Sequence, residues 1–226
     1  MLQSIRDLTR GERLLWICSA AAVTASFLLF GREDWLTLIG SLIGVTALIF
    51  VARGYVLGQV LTVAFSLFYG VISFGQCYYG EMITYLGMTS PIAILTVISW
   101  LRHPYAGTRE VEVKRLSIRG WLLLLLAAGV VTWGFYYILD FFGNANMLFS
   151  TISITTSFLA SALTLLRSPW YAAAYAANDL VLIVLWIMAS TGDTSCLPMV
   201  VCFAAFFFND VYGFISWRRM AARQRR

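Results

Sequence analysis

The stretch FFFNDVYGFISWRRM, residues 206–220, echoes an earlier one, AILTVISWLRH, residues 93–103. Both close an apolar run with Ile-Ser-Trp and then place an arginine one or two residues on. Their tryptophans, Trp100 and Trp217, stand 117 positions apart. An apolar run ending in Trp and Arg reads as a helix leaving a bilayer, since indoles settle at the membrane–water boundary and arginines just beyond it. The second copy also carries Asn209 and Asp210 within the apolar run, where polar side chains are costly.

The rest of the chain has the same character. Of 226 residues, 60% are hydrophobic and 12% charged, against roughly 45–50% and 25% in soluble domains. Eight runs are long enough to cross the hydrocarbon core as helices, at 14–30, 35–52, 55–76, 82–101, 120–139, 146–166, 170–190 and 196–217. The run after Arg13 is too long for the apolar core of a signal peptide, so no cleavable leader is expected.

Charge gives the orientation. With both termini inside, fifteen of the sixteen Lys and Arg residues fall on the cytoplasmic side and only Arg32 outside. Such asymmetry sets topology and accounts for the net charge of +5 without nucleic acid. The expected location is the inner membrane of a bacterium. Cys18, Cys77, Cys196 and Cys202 show no metal-ligand spacing and read as packing residues. The single histidine, His103, lies beside Pro104 in the polar stretch 102–120. No metal site, cofactor or enzyme activity is expected.

Further marks recur at nearly the offset of the two tryptophans. Arg53 closes the second run and Arg167 the sixth, while Met82 and Met199 open the fourth and eighth. The pattern predicts an all-α membrane protein in a parallel 3+1+3 repeat with an extra N-terminal helix. Its parts are a tail and accessory helix (1–34), a first repeat (35–101), a loop and linker helix (102–145), a second repeat (146–217) and a basic tail (218–226). Parallel repeats of this kind build transporters, with cargo near the midplane between the halves.

Candidate cargo contacts follow from depth and helical period. Asn178 and Asn209 each lie eight residues from a tryptophan, Trp170 and Trp217. That places both roughly 12 Å above the inner boundary of a core about 30 Å thick, and they are expected to face each other. Tyr171, Tyr175 and Asn178, with Trp186 further along, form one stripe; Asn209, Tyr212 and Ser216 form the other. Asn supplies a donor and an acceptor for amides and sugar hydroxyls, and aromatic faces suit a planar, cationic ring. For Asp179 and Asp210, cargo contact and hydrogen bonding between helices both remain open. Gln76 is read as lining the path near its outer mouth, Glu81 as solvated, and Trp35, Trp100 and Trp217 as anchors at the membrane boundary. Asn209 and Asp210 have no counterpart in the first half, where the matching positions are Ile92 and Ala93. That half offers instead Gln59, Thr62, Ser66, Tyr69, Thr84, Thr89, Ser90 and Pro91.

Two motifs, Trp170-Tyr171 through Asn178-Asp179 to Trp186 and then FNDVYGFISWRRM (208–220), resemble the PnuC family of nicotinamide riboside transporters. FYGVISFGQCYYGE (68–81) and SWLR (99–102) are similar to it as well. The resemblance implies a SWEET-like fold, a homotrimer with one path per protomer, and facilitated diffusion of nicotinamide riboside toward cytosolic phosphorylation. It also implies cargo contacts at Trp170, Asn178 and Asn209. The family's ligand-contacting glutamine in the third repeat helix has no match between Met82 and Trp100. Relatives on this scaffold carry thiamine, riboflavin or deoxynucleosides, which stand as alternative cargoes, as does a proton-coupled carrier using Asp179 and Asp210.

Overall fold

A computed structural model describes residues 7–30, 35–76, 78–144 and 146–225. Arg6, Arg32, Cys77, Arg226 and the GRED loop (31–34) lie outside the described residues. The chain forms helices α1 (Arg10–Phe30), α2 (Trp35–Ala52), α3 (Val56–Gly75), α4 (Tyr79–Arg102), α5 (Ile118–Phe141), α6 (Met147–Leu165), α7 (Tyr171–Ser190) and α8 (Leu197–Arg223). All eight are long and apolar enough to span a bilayer, and no strand occurs among the described residues. The chain is an all-helical, multi-pass membrane protein.

Local chemistry sets the helix ends. Thr9 and Glu12 form a capping box: the Thr9 amide donates to Glu12 Oε2 (2.6 Å) and the Glu12 amide to Thr9 Oγ1 (3.3 Å), which starts α1 earlier than hydropathy suggests. The helix α8 runs nearly two turns past Trp217, into the basic tail. There Gln224 accepts from the Val113 amide and donates to the Val111 carbonyl, and Arg223 pairs with Glu110. Before α8, the Asp193 carboxylate accepts from the hydroxyl and amide of Ser195, which hold it below the usual carboxylate range. A five-residue π turn, Tyr85–Thr89, divides α4 just ahead of Pro91.

Six helices close a ring in the order α2, α3, α4, α6, α7, α8, back to α2. The first helix, α1, packs outside on α8 and α2, and α5 packs mainly on α6. Most of α5 faces lipid, with Leu122, Leu123, Leu126, Trp133 and Phe141 exposed. Because lipid is as apolar as these side chains, burial alone does not draw the helices together; close packing and hydrogen bonds between helices do.

The repeated Ser-Trp supplies those hydrogen bonds. Trp217 near the end of α8 donates its indole N–H to the Val51 carbonyl (2.8 Å), and Ser216 donates to Ala52 (2.7 Å). Trp100 at the end of α4 donates to the Thr164 carbonyl (3.1 Å), and Ser99 to Leu165 (3.5 Å). Each pair donates to last-turn carbonyls, α8 serving α2 and α4 serving α6, and the Val51 and Thr164 carbonyls accept as well from the amides of Gly54 and Arg167. The indoles of Trp217 and Trp100 are 0% and 1% exposed and pack 5.5 Å apart. Trp100 and Trp217 are therefore not boundary anchors, whereas Trp35 is largely exposed. Both capped helices end alike, in a left-handed residue, Gly54 (φ +68°) and Arg167 (φ +57°). The loop after α4 reaches both turns: the Val111 amide donates to Gly54 and the Lys114 amide to Arg167, each at 3.0 Å.

Replacing Trp217 with Phe keeps an aromatic ring and removes one of two donors to the Val51 carbonyl, which still accepts from the Gly54 amide, at a cost of about 0.5–1.5 kcal/mol. Thermal unfolding in detergent should show a clearly lowered midpoint for W217F and almost none of that loss for W35F.

Candidate functional site

Inside the ring, α2, α3, α4, α7 and α8 enclose a cavity of about 40 Å³, room for a few water molecules. Its polar lining is Asp179 and Tyr175 on α7, Asp210 on α8, Gln59 and Thr62 on α3, and Thr89 on α4; Phe65, Tyr85 and Phe206 supply aromatic faces. Asp179 and Asp210 are each 3% exposed and turn their carboxyls toward one another. Asp179 Oδ2 has no hydrogen-bond partner among the described residues. Two carboxyls side by side in a low dielectric call for a cation or a shared proton between them. No Lys, Arg or His lines the cavity.

Of the residues singled out from the sequence, Tyr175, Asp179 and Asp210 meet here. The two amides do not face each other. Asn178 Oδ1 accepts from Ser153 (3.3 Å), Thr156 (2.8 Å) and Ser157 (3.0 Å), all on α6. Asn209 Nδ2 donates instead to Ser19 on α1 (2.9 Å) and to the Ala205 carbonyl. Each side chain is turned to a different neighbouring helix. Tyr212 donates to Glu12 on α1 (2.7 Å), and Glu12 in turn pairs with Arg53 (3.4 Å). Tyr171 packs edge-on against Trp217. Trp170, 46% exposed, sits at the basic end of the bundle against Phe214 and beneath Arg218, and Gln76 is exposed at the end of α3. Glu81 is 1% exposed, not solvated, and both its carboxyl oxygens lack a hydrogen-bond partner among the described residues. Gln59 and Thr62 on α3 and Thr89 on α4, named from the sequence as polar residues that the first half offers, also line the cavity.

The geometry has counterparts among known proteins. The family model described as nicotinamide mononucleotide transporter matches residues 34–219. The chain belongs to this family. A relative from Neisseria mucosa named nicotinamide riboside transporter PnuC is 26% identical, covering 92% of this chain and 81% of its own. A protein of the same name from Haemophilus influenzae is 22% identical, covering 84% and 82%. Among solved structures, a crystal structure of the vitamin B3 transporter PnuC shares the fold, with a TM-score of 0.85 at 24% identity over 96% of this chain and 94% of that one.

In this family member the cavity is lined by members of two aromatic-rich clusters. In one, Tyr69 packs against Phe65, Tyr85 and Phe203, and the Trp186 indole donates to its hydroxyl (3.0 Å). In the other stand Tyr171, Trp100 and Trp217. Gly44 makes room for the first group: a Cβ there would lie 2.3 Å from Phe206 Cζ and 2.9 Å from Phe65 Cδ2. Gly44→Ala should therefore push both rings off their seats and destabilise the bundle by about 1–3 kcal/mol, as overpacking does. The check is the unfolding midpoint of the purified protein.

Proposed function

We propose that the chain carries nicotinamide riboside across the bacterial inner membrane by facilitated diffusion. The observation that supports this most is the Asp179–Asp210 pair facing one cavity beside Gln59 and Tyr175. The pyridinium ring of nicotinamide riboside carries a permanent positive charge. Two buried carboxyls are the complement to such a ring, Tyr175, Tyr85 and Phe65 offer it aromatic faces, and Gln59 and Thr62 suit its amide and ribose hydroxyls. The family model's description speaks of a mononucleotide, the relatives' names of a riboside. A cavity with two acids and no cationic side chain favours the riboside, since a phosphate there would meet like charge. The same charge favours it over neutral riboflavin or thymidine.

In this reading cargo contact rests on Tyr175, Asp179 and Asp210. Asn178, Asn209, Tyr171 and Tyr212 hold the helices that carry them, and Trp170 and Gln76 flank the path at its two ends. Passage requires the packed aromatic clusters to move apart, because the cavity is smaller than the roughly 300 Å³ and more that drug-sized ligands occupy. Both termini lie in the cytoplasm, following the basic residues. The two halves act as parallel three-helix repeats joined by α5, a scheme supported by the reciprocal Ser-Trp contacts. Protomers assemble as a homotrimer, each with its own path.

Uptake of labelled nicotinamide riboside into proteoliposomes tests the reading. Asp179→Asn and Asp210→Asn should each lower uptake about tenfold or more, the loss of one charge-assisted contact. Excess nicotinamide riboside should compete, and its 5′-phosphate should not. Full uptake by a correctly folded double variant would falsify the assignment.

A further inference from the structure

Where α5 and α7 begin and α8 ends, a groove of about 310 Å³ is rimmed by Arg115, Arg218 and Arg225, with Trp121, Trp170 and Ser168 in its wall. Its charge is unbalanced. The ion pairs among the described residues, Arg53–Glu12, Arg109–Asp7, Arg167–Glu112 and Arg223–Glu110, all lie outside it. No acid lines it. The neighbouring groove between α1 and α8 shows the contrast, with Arg53, Arg219 and Arg223 set against Glu12 and Glu110.

The wall is ordered as well as basic. The Arg218 guanidinium lies 5.9 Å from the ring centres of both Trp170 and Phe214, a geometry that fixes a cation over an aromatic face. Trp121 meets Trp170 edge-on, their rings 6.5 Å apart. Guanidiniums bind phosphate oxygens in pairs, and an exposed indole beside them accepts a planar or apolar group.

We propose that this groove binds a phosphate-bearing ligand, its phosphate among the three guanidiniums and its ring or apolar part on the indoles. That chemistry has two sources, a soluble mononucleotide and the headgroup of an anionic phospholipid. The groove is separate from the cavity, and none of the three arginines lines the space around Asp179 and Asp210.

Two measurements on the purified full-length protein test it. Equilibrium dialysis in a neutral detergent follows radiolabelled adenosine monophosphate, with inorganic phosphate as competitor. Native mass spectrometry compares retention of phosphatidylglycerol with that of phosphatidylcholine. At least one phosphate probe should bind, about tenfold more weakly to Arg218→Gln and about a hundredfold more weakly to the variant R115Q/R218Q/R225Q, as loss of charge-assisted hydrogen bonds implies. Nucleotide binding identifies a soluble ligand; selective phosphatidylglycerol retention identifies a lipid. Neither probe binding, or binding unchanged in Arg218→Gln, overturns the proposal. Because Arg218 is exposed, the single variant decides between these outcomes even where the triple variant does not fold.

Discussion

Two indole N–H groups hold the halves of this bundle in register. Trp217 gives its proton to the end of α2, and Trp100 gives its own to the end of α4's partner, α6. The Val51 and Thr164 carbonyls also accept from the amides of Gly54 and Arg167, so each indole adds a second donor at a buried helix end. The exchange is reciprocal: the last helix of each half completes the first helix of the other. The loop between α4 and α5 reinforces the arrangement by bonding both left-handed turns that follow those ends.

With register fixed at that end, the remaining polar residues divide by task. Asn178 Oδ1 accepts from three hydroxyls of α6, and Asn209 Nδ2 is tied to α1. The Glu12–Tyr212–Arg53 group binds α1 to α8 and α2 nearer the basic side. The residue that follows each asparagine, Asp179 and Asp210, rotated about 100° around its helix, lines the cavity instead, while Asn209 Oδ1 has no hydrogen-bond partner among the described residues. An acidic, aromatic interior and an arginine-rimmed groove at the basic end thus place opposite charges within one molecule.

The span limits, the crowding of basic residues toward one side and the repeated Ser-Trp are all legible in the sequence, because hydropathy and length report directly on the bilayer. Height along a span is something the helical rise lets a sequence predict. Azimuth is not. Counting residues puts Asn178 and Asn209 at one height, but height says nothing about which neighbour a side chain meets; the hydroxyl-rich face of α6 and Ser19 of α1 decide that. Glu81 reads as solvated because it stands beside a loop, whereas the helix around it begins earlier, at Tyr79. Trp100 and Trp217 mislead for a related reason. Tryptophan at a helix end is as well suited to capping a neighbouring helix as to meeting lipid headgroups, and only packing separates the two.

The widened turn in α4 has a consequence for how this wall can yield. A π turn interrupts the regular i to i−4 ladder, and Pro91, following closely, removes one more donor from it. Tyr85 and Thr89, its first and last residues, both border the cavity. Bending at that point breaks fewer bonds than bending anywhere else along α4. The segment before it, Tyr79–Thr84, can tilt as a lever while Trp100, near the other end of α4, keeps its grip on α6.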